Sequence, residues 1–142
     1  MQKITAVAFL HKDWKLFIAK RAETKKFLPW KFELPWGHIE FGETVEDWLK
    51  REMKEEFNID VIIENPFYVF TYTNQDKTKH TVEIVYFVKL KQLDQEIILN
   101  ENDHSEYRWV IKSEITNYFQ NNDEELKAGI KWFEILEWKK VI

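Results

Sequence analysis

Leu34-Pro35-Trp36-Gly37-His38-Ile39-Glu40-Phe41-Gly42-Glu43-Thr44, with the run Val45 to Asn58 behind it, decides how this chain reads. Of only three glycines and three prolines in 142 residues, Pro35, Gly37 and Gly42 crowd into this stretch, which marks a special backbone course. Thr44 with Asp47 three residues on resembles a capping box, and Glu46 and Asp47 suit the positive end of a helix dipole. Asn58 tolerates the left-handed conformation that closes a helix, so a helix is predicted over Thr44 to Phe57. Its wheel is unusual. At about 100° per residue, Val45, Trp48 and Leu49 define an apolar side, and Met53 and Phe57 extend it on one flank. Glu52 and Glu56 continue the same side, with Glu55 at its edge.

A stripe that begins as core and ends as acids needs an explanation. Burying an uncompensated carboxylate costs several kcal/mol, and neighbouring carboxylates raise one another's pKa unless a cation sits among them. An all-oxygen cluster suits Mg²⁺ or Mn²⁺, hard ions that keep sites for phosphate and water. That is the setting of phosphoryl and pyrophosphoryl transfer. Taken alone, Glu52, Glu55 and Glu56 also read as an ordinary solvated helix end.

Around this centre, Ile4 to Leu10 and Trp14 to Lys20 read as strands joined by a tight connection at His11-Lys12-Asp13. Val61 to Thr73 (broken by Asn65-Pro66), Thr78 to Leu90 and Ser105 to Val110 are further strands. A second helix is predicted over Asp123 to Lys139, where Leu126, Ile130, Phe133 and Leu136 keep helical spacing, and a short one over Ser113 to Phe119. This mixture predicts an α/β sandwich with a mixed sheet, in one domain spanning 1–142. Seven Trp and eleven Phe supply a core of adequate size. The absence of cysteine excludes disulfides and thiolate zinc sites. A formal net charge of −4 disfavours extended nucleic-acid binding. The four histidines are scattered, and neither a secretory signal nor a membrane span is visible, so a cytoplasmic protein is expected.

Gly37, five residues, Glu43, seven residues, then Arg51-Glu52-Met53-Lys54-Glu55-Glu56-Phe57-Asn58-Ile59 resembles the box of the Nudix hydrolase superfamily. Every fixed position matches except the final Gly, which is Asn58 here. Phe32 to Pro35 leads in as in MutT-like members. One further departure is Trp36, where the family usually has Gly. Its indole could narrow the pocket, stack on a base or cap the core.

The resemblance implies a Nudix-type α/β/α sandwich and a metal-dependent hydrolase of phosphoanhydrides. Gly37 (through its carbonyl), Glu52, Glu55 and Glu56 would hold Mg²⁺ or Mn²⁺. Glu52 would be the general base, with Arg51 and Glu43 orienting the acids. Arg21, Trp36 and His38 are candidate substrate contacts, Glu40 a candidate helper at the metal, and Trp30 and Phe27 candidate stacking groups. Glu101, Asp103 and Glu106 are candidates for an additional acid from a late loop, and Glu83 for one from a strand. The implied substrate is a nucleoside triphosphate, oxidised or noncognate ones included, cut to monophosphate and pyrophosphate. The alternatives are a nucleoside diphosphate sugar such as ADP-ribose, or a non-catalytic nucleotide-sensing module. Base preference, the number of metal ions and the choice between monomer and homodimer stay open.

Overall fold

The computed structural model describes residues 2–25, 29–119 and 124–141, and of 139–141 the backbone alone. Phe27 and Asp123 therefore lie outside the described residues.

The first two strands, β1 (Gln2–Lys12) and β2 (Lys15–Arg21), are apolar at consecutive positions because layers cover both of their faces. Ala6, Ala8 and Leu10 of β1, with Phe17 and Ala19 of β2, point to one layer. Val7, Phe9, Leu16 and Ile18 point to the other. Asp13 and Trp14 join the strands with φ of 51° and 64°, the signature of a two-residue hairpin turn of the primed kind. Trp14 thus belongs to the turn and not to the second strand, since two adjacent left-handed residues cannot continue a ladder.

Two short strands follow, β3 (Phe32–Glu33) and β4 (Trp36–His38), neither of which the sequence announced. Beyond the helix α1 (Val45–Phe57) come β5 (Val61–Thr73), β6 (His80–Leu90), β7 (His104–Val110), a 3-10 turn at Lys112–Asn117 and the helix α2 (Glu124–Val141). Among the described residues the strands form one mixed sheet of order β3-β2-β1-β6-β5, with β4 added on β1 and β7 on β2. β1 and β6 are parallel, and the other pairs are antiparallel. Asn65-Pro66 does not break β5. Register shifts between Ile63 and Pro66 and between Pro66 and Tyr68 absorb it as a bulge, which suits a proline that lacks a ladder donor.

The helix α1 covers one face through Trp48, Leu49, Met53 and Phe57, packed on Ala6, Ala8, Leu10, Phe17 and Ala19. The small alanines let it lie close. On the opposite face α2 and the 3-10 turn bury Trp132, Phe133, Leu126 and Ile115 against Phe9, Leu16 and Ile18. The architecture is the expected α/β/α sandwich.

Both ends of α1 are fixed by local chemistry. The Asp47 N–H donates to Thr44 Oγ1 at 3.2 Å. Asn58 closes the helix at φ 60°, ψ 35°, its N–H donating to the Lys54 carbonyl at 3.0 Å. This explains why Asn stands in for Gly at the end of the box. Asn58→Gly should keep the melting temperature within a few degrees, whereas Asn58→Ala should cost about 1 kcal/mol by placing an ordinary Cβ in the left-handed region. Denaturant titration of both variants checks this. Equal stability of the two would remove the cap as the reason for Asn58.

Candidate active site

Gly37 and Gly42 serve α1 for different reasons. A Cβ built on Gly37 would fall inside the Trp48 indole, so glycine is needed there for close approach of helix and strand. At Gly42 nothing crowds the position, but φ is +87°, and glycine supplies the conformation. Gly37→Ala is expected to lower stability by about 1–3 kcal/mol, because the indole must shift in a packed layer. Thermal unfolding measures it, and an unchanged melting temperature would contradict the packing described.

With α1 seated in this way, the last turns of the helix face a cavity of about 320 Å³. Its walls are Trp36, Gly37 and His38 of β4, Glu52 and Glu56 of α1, Arg21 and Lys25 around the end of β2, Glu33 of β3, and Asp103 with His104 at the start of β7. The late loop is tied directly to the helix. Asn100 N–H donates to the Glu56 carbonyl at 3.1 Å, and Asn100 in turn accepts from the N–H groups of Asp103 and His104. Asp103 is thereby brought to the cavity, where Lys25 Nζ donates to its Oδ1 at 2.7 Å. Of the three acids singled out in that loop, Asp103 alone lines this cavity. Glu106 pairs with Lys20 and Arg108, and Glu101 lines a neighbouring cavity together with Trp30 and Tyr107. Glu83 accepts from the Tyr72 hydroxyl at 3.3 Å. Its strand β6 is interior to the sheet, between β1 and β5.

The electrostatics follow from this crowding. Burial, then the charges of Glu52, Asp103 and Glu33, push the Glu56 carboxyl up to about 8, against a smaller opposing effect of Lys25. Burial and the Glu55 charge also raise Glu52. Glu33 behaves in the opposite way. Its burial would lift it, but hydrogen bonds from His104, Trp36 and Arg21 together hold it below the usual carboxylate range. Burial, with Lys3 and Lys79 nearby, holds His38 below the usual imidazole range, and its Nδ1 lies 3.0 Å from Thr5 Oγ1.

Glu55 is 61% exposed and outside the cavity wall. Arg51 donates to Glu43 Oε2 at 2.6 Å and sits 3.9 Å from Glu55, so it links the turn before the helix to the acidic face. The Glu43 hydrogen bond raises Arg51 further above its ordinary value. Glu40 is exposed, and its charge reaches Glu52 only weakly. Sequence reasoning missed Glu33, Lys25 and His104. An acid between Phe32 and Leu34, two apolar neighbours, was a visible signal for Glu33, while Lys25 and His104 reach the cavity only through the fold.

The donor set fits a hard divalent cation, since Glu52, Glu56 and Asp103 supply carboxylate oxygens whose mutual repulsion a cation relieves. Among the described residues no three acids or histidines already converge as a ligand set. Like charges without a counter-ion are expected to stand apart.

Residues 1–137 match the family model of the NUDIX domain. An uncharacterised Nudix hydrolase of Nostoc is 33% identical over 119 residues, 82% of this chain and 67% of the relative. The nucleoside triphosphatase NudI of Escherichia fergusonii is 25% identical over 128 residues, 84% of this chain and 89% of the relative. A crystal structure of a MutT protein from Methanosarcina mazei superposes with a TM-score of 0.76 at 18% identity, covering 96% of this chain and 95% of that one. The chain belongs to the Nudix hydrolase family, and it shares the fold of the MutT structure. No helix among the described residues is long and apolar enough to cross a membrane.

Proposed function

We propose that this hydrolase cuts a nucleoside triphosphate to a nucleoside monophosphate and pyrophosphate. The observation that carries the reading is the meeting of Glu52, Glu56 and Asp103 in one cavity with the cations Arg21 and Lys25. Similarity to a nucleoside triphosphatase along most of both chains favours a triphosphate over ADP-ribose.

Glu52 and Glu56, with the Gly37 carbonyl and Glu55 at the rim, would hold Mg²⁺, and Mn²⁺ can substitute. When bound, the ion supplies charge neutralisation for the phosphate oxygens. Glu52 takes the proton of a water whose oxygen forms the new bond to phosphorus. The bridging P–O bond breaks, and the leaving phosphate carries away its electron pair. Arg21 and Lys25 bind phosphate oxygens, and Arg51 with Glu43 keeps the acidic face of α1 in place.

The test is a panel of ordinary, oxidised and otherwise noncognate nucleotides, and of nucleoside diphosphate sugars, with Mg²⁺ and chromatographic identification of products. Monophosphate plus pyrophosphate from a triphosphate is expected. Monophosphate plus a sugar phosphate would move the substrate to the ADP-ribose class. Tight nucleotide binding with no cleavage anywhere in the panel would overturn the catalytic reading in favour of a sensing module.

A further inference from the structure

Among the described residues no other carboxylate is as deeply buried as Glu33, which is 8% exposed. It is not idle. Glu33 Oε1 accepts from Arg21 Nη1 and from Trp36 Nε1, both at 3.0 Å. Its Oε2 lies 2.9 Å from His104 Nε2, which donates to the ionised carboxylate. One side chain therefore gathers donors from β2, β4 and β7, and all of them are walls of the cavity. His104 Nδ1 is buried without a partner, so the orientation of that ring rests on Glu33 and on contact with Phe57 at 5.2 Å between centroids. The Trp36 ring is likewise fixed at two points. Its N–H is held by Glu33, and its face or edge meets His38 at 5.4 Å and 77°.

Trp36 is half-buried, packed against the core on one side and lining the cavity on the other. A flat indole held at both ends loses little freedom when a planar ligand covers it, which is the condition for stacking to add affinity. We infer that Glu33 is a positioning residue that locks the Trp36 indole as a wall on which the ring system of a nucleotide rests. The Glu33–Trp36 pair, and not the phosphate-binding cations, then separates nucleotides from bare polyphosphate. This rests on the proposed nucleotide substrate and adds to it the part of the cavity that recognises what is not phosphate.

The test is isothermal titration, with Mg²⁺, of methylene-bridged analogues of ATP, GTP, CTP and UTP against inorganic tripolyphosphate. The readout is the ratio of nucleotide to tripolyphosphate dissociation constants, because any effect exerted through Arg21 on phosphate binding enters both. Trp36→Gly should weaken nucleotides about ten- to hundredfold relative to tripolyphosphate. Trp36→Phe should fall between it and the parent. Glu33→Ala should shift the ratio in the same direction, and adding it to Trp36→Gly should shift it no further. Glu33→Gln keeps an acceptor for the indole N–H and should retain most of the parent ratio, which a general loss of packing would not predict. Thermal melts establish that each variant is folded. Since Trp36→Phe and Trp36→Gly leave the Glu33 ion pairs in place, they decide the matter if Glu33→Ala does not fold.

A ratio within twofold of the parent in Trp36→Gly would overturn the inference. So would fully additive effects of Glu33→Ala and Trp36→Gly, or nucleotides that bind no tighter than tripolyphosphate. The two readings fail separately. Trp36-dependent binding without cleavage of any nucleotide removes the proposed reaction alone, whereas cleavage with an unchanged ratio in Trp36→Gly removes the inference alone.

Discussion

Glu52→Gln is expected to lower kcat by a factor on the order of 10²–10⁴ while the protein stays folded. Glutamine keeps the shape of the side chain and removes both its charge and its capacity to take a proton. Glu52 sits where the apolar stripe of α1 ends, half-buried in the cavity wall and raised by burial and by Glu55. Loss of a cation ligand and loss of a base both reduce turnover, but they respond differently to metal. If Glu52 only helped to hold the ion, a large excess of Mg²⁺ would restore kcat. If Glu52 accepts the proton of the attacking water, saturation with Mg²⁺ leaves the deficit in place. Steady-state kinetics over a range of Mg²⁺ concentrations separates the two, and full recovery at high Mg²⁺ would move the base to another acid, Asp103 first.

Glu56→Gln should change how the metal-free protein responds to pH. The carboxyl is raised from an ordinary 4.5 to about 8 in the folded chain, by burial first and by Glu52, Asp103 and Glu33 after it. A raised folded-state pKa means that the folded chain binds the proton more tightly than the unfolded chain does. The contribution to stability is then fully present below the unfolded value and is lost as pH rises through the folded one. Between about pH 5 and pH 8.5 the metal-free protein should lose stability, by on the order of 4 kcal/mol if no relaxation intervenes. Glu33 acts in the opposite sense: its folded-state pKa is lowered, so its contribution disappears as pH falls through that value. Glu56→Gln should flatten the alkaline decline and leave the acid limb intact. Urea titrations of parent and variant in a chelating buffer measure both limbs. Unchanged alkaline limbs would show that Glu56 is not the strained acid. Added Mg²⁺ should restore the stability of the parent more than that of the variant, because an ion that binds only the folded form stabilises it by mass action.

Much of this was legible in the sequence because it is local. The start and end of α1 follow from Thr44, Asp47 and Asn58, residues that act within a few positions of themselves. The acids on its inner face follow from helical geometry, and the structure places Glu52 and Glu56 in the cavity and Glu55 outside it. β3 and β4 were not legible. Two or three residues carry no periodicity, and these strands exist because β2 and β1 offer them ladders. The same limit applies to the site. Lys25 and Glu33 lie far from Asp103 and His104 in sequence, and the pairing of β2 with β3 and β7 brings them together. Asp103 could be named only as one acid among three in its loop. The contacts of Asn100 with the end of α1 select it. Trp36 was noticed as a departure from the family pattern, yet its partner Glu33, three residues earlier, becomes visible only when the chain turns at Pro35 and the two side chains meet.

The acidic end of α1 and the loop of Asp103 are proposed to form one divalent-cation centre. Titration with Mn²⁺ followed by electron paramagnetic resonance tests it most directly, using the parent, Glu52→Gln/Glu56→Gln and a control, Glu106→Gln. The account predicts saturable binding in the parent and the control, and loss of that binding in the double variant with its fold intact. Saturable Mn²⁺ binding of unchanged affinity in the double variant would contradict it and place the metal elsewhere on the chain.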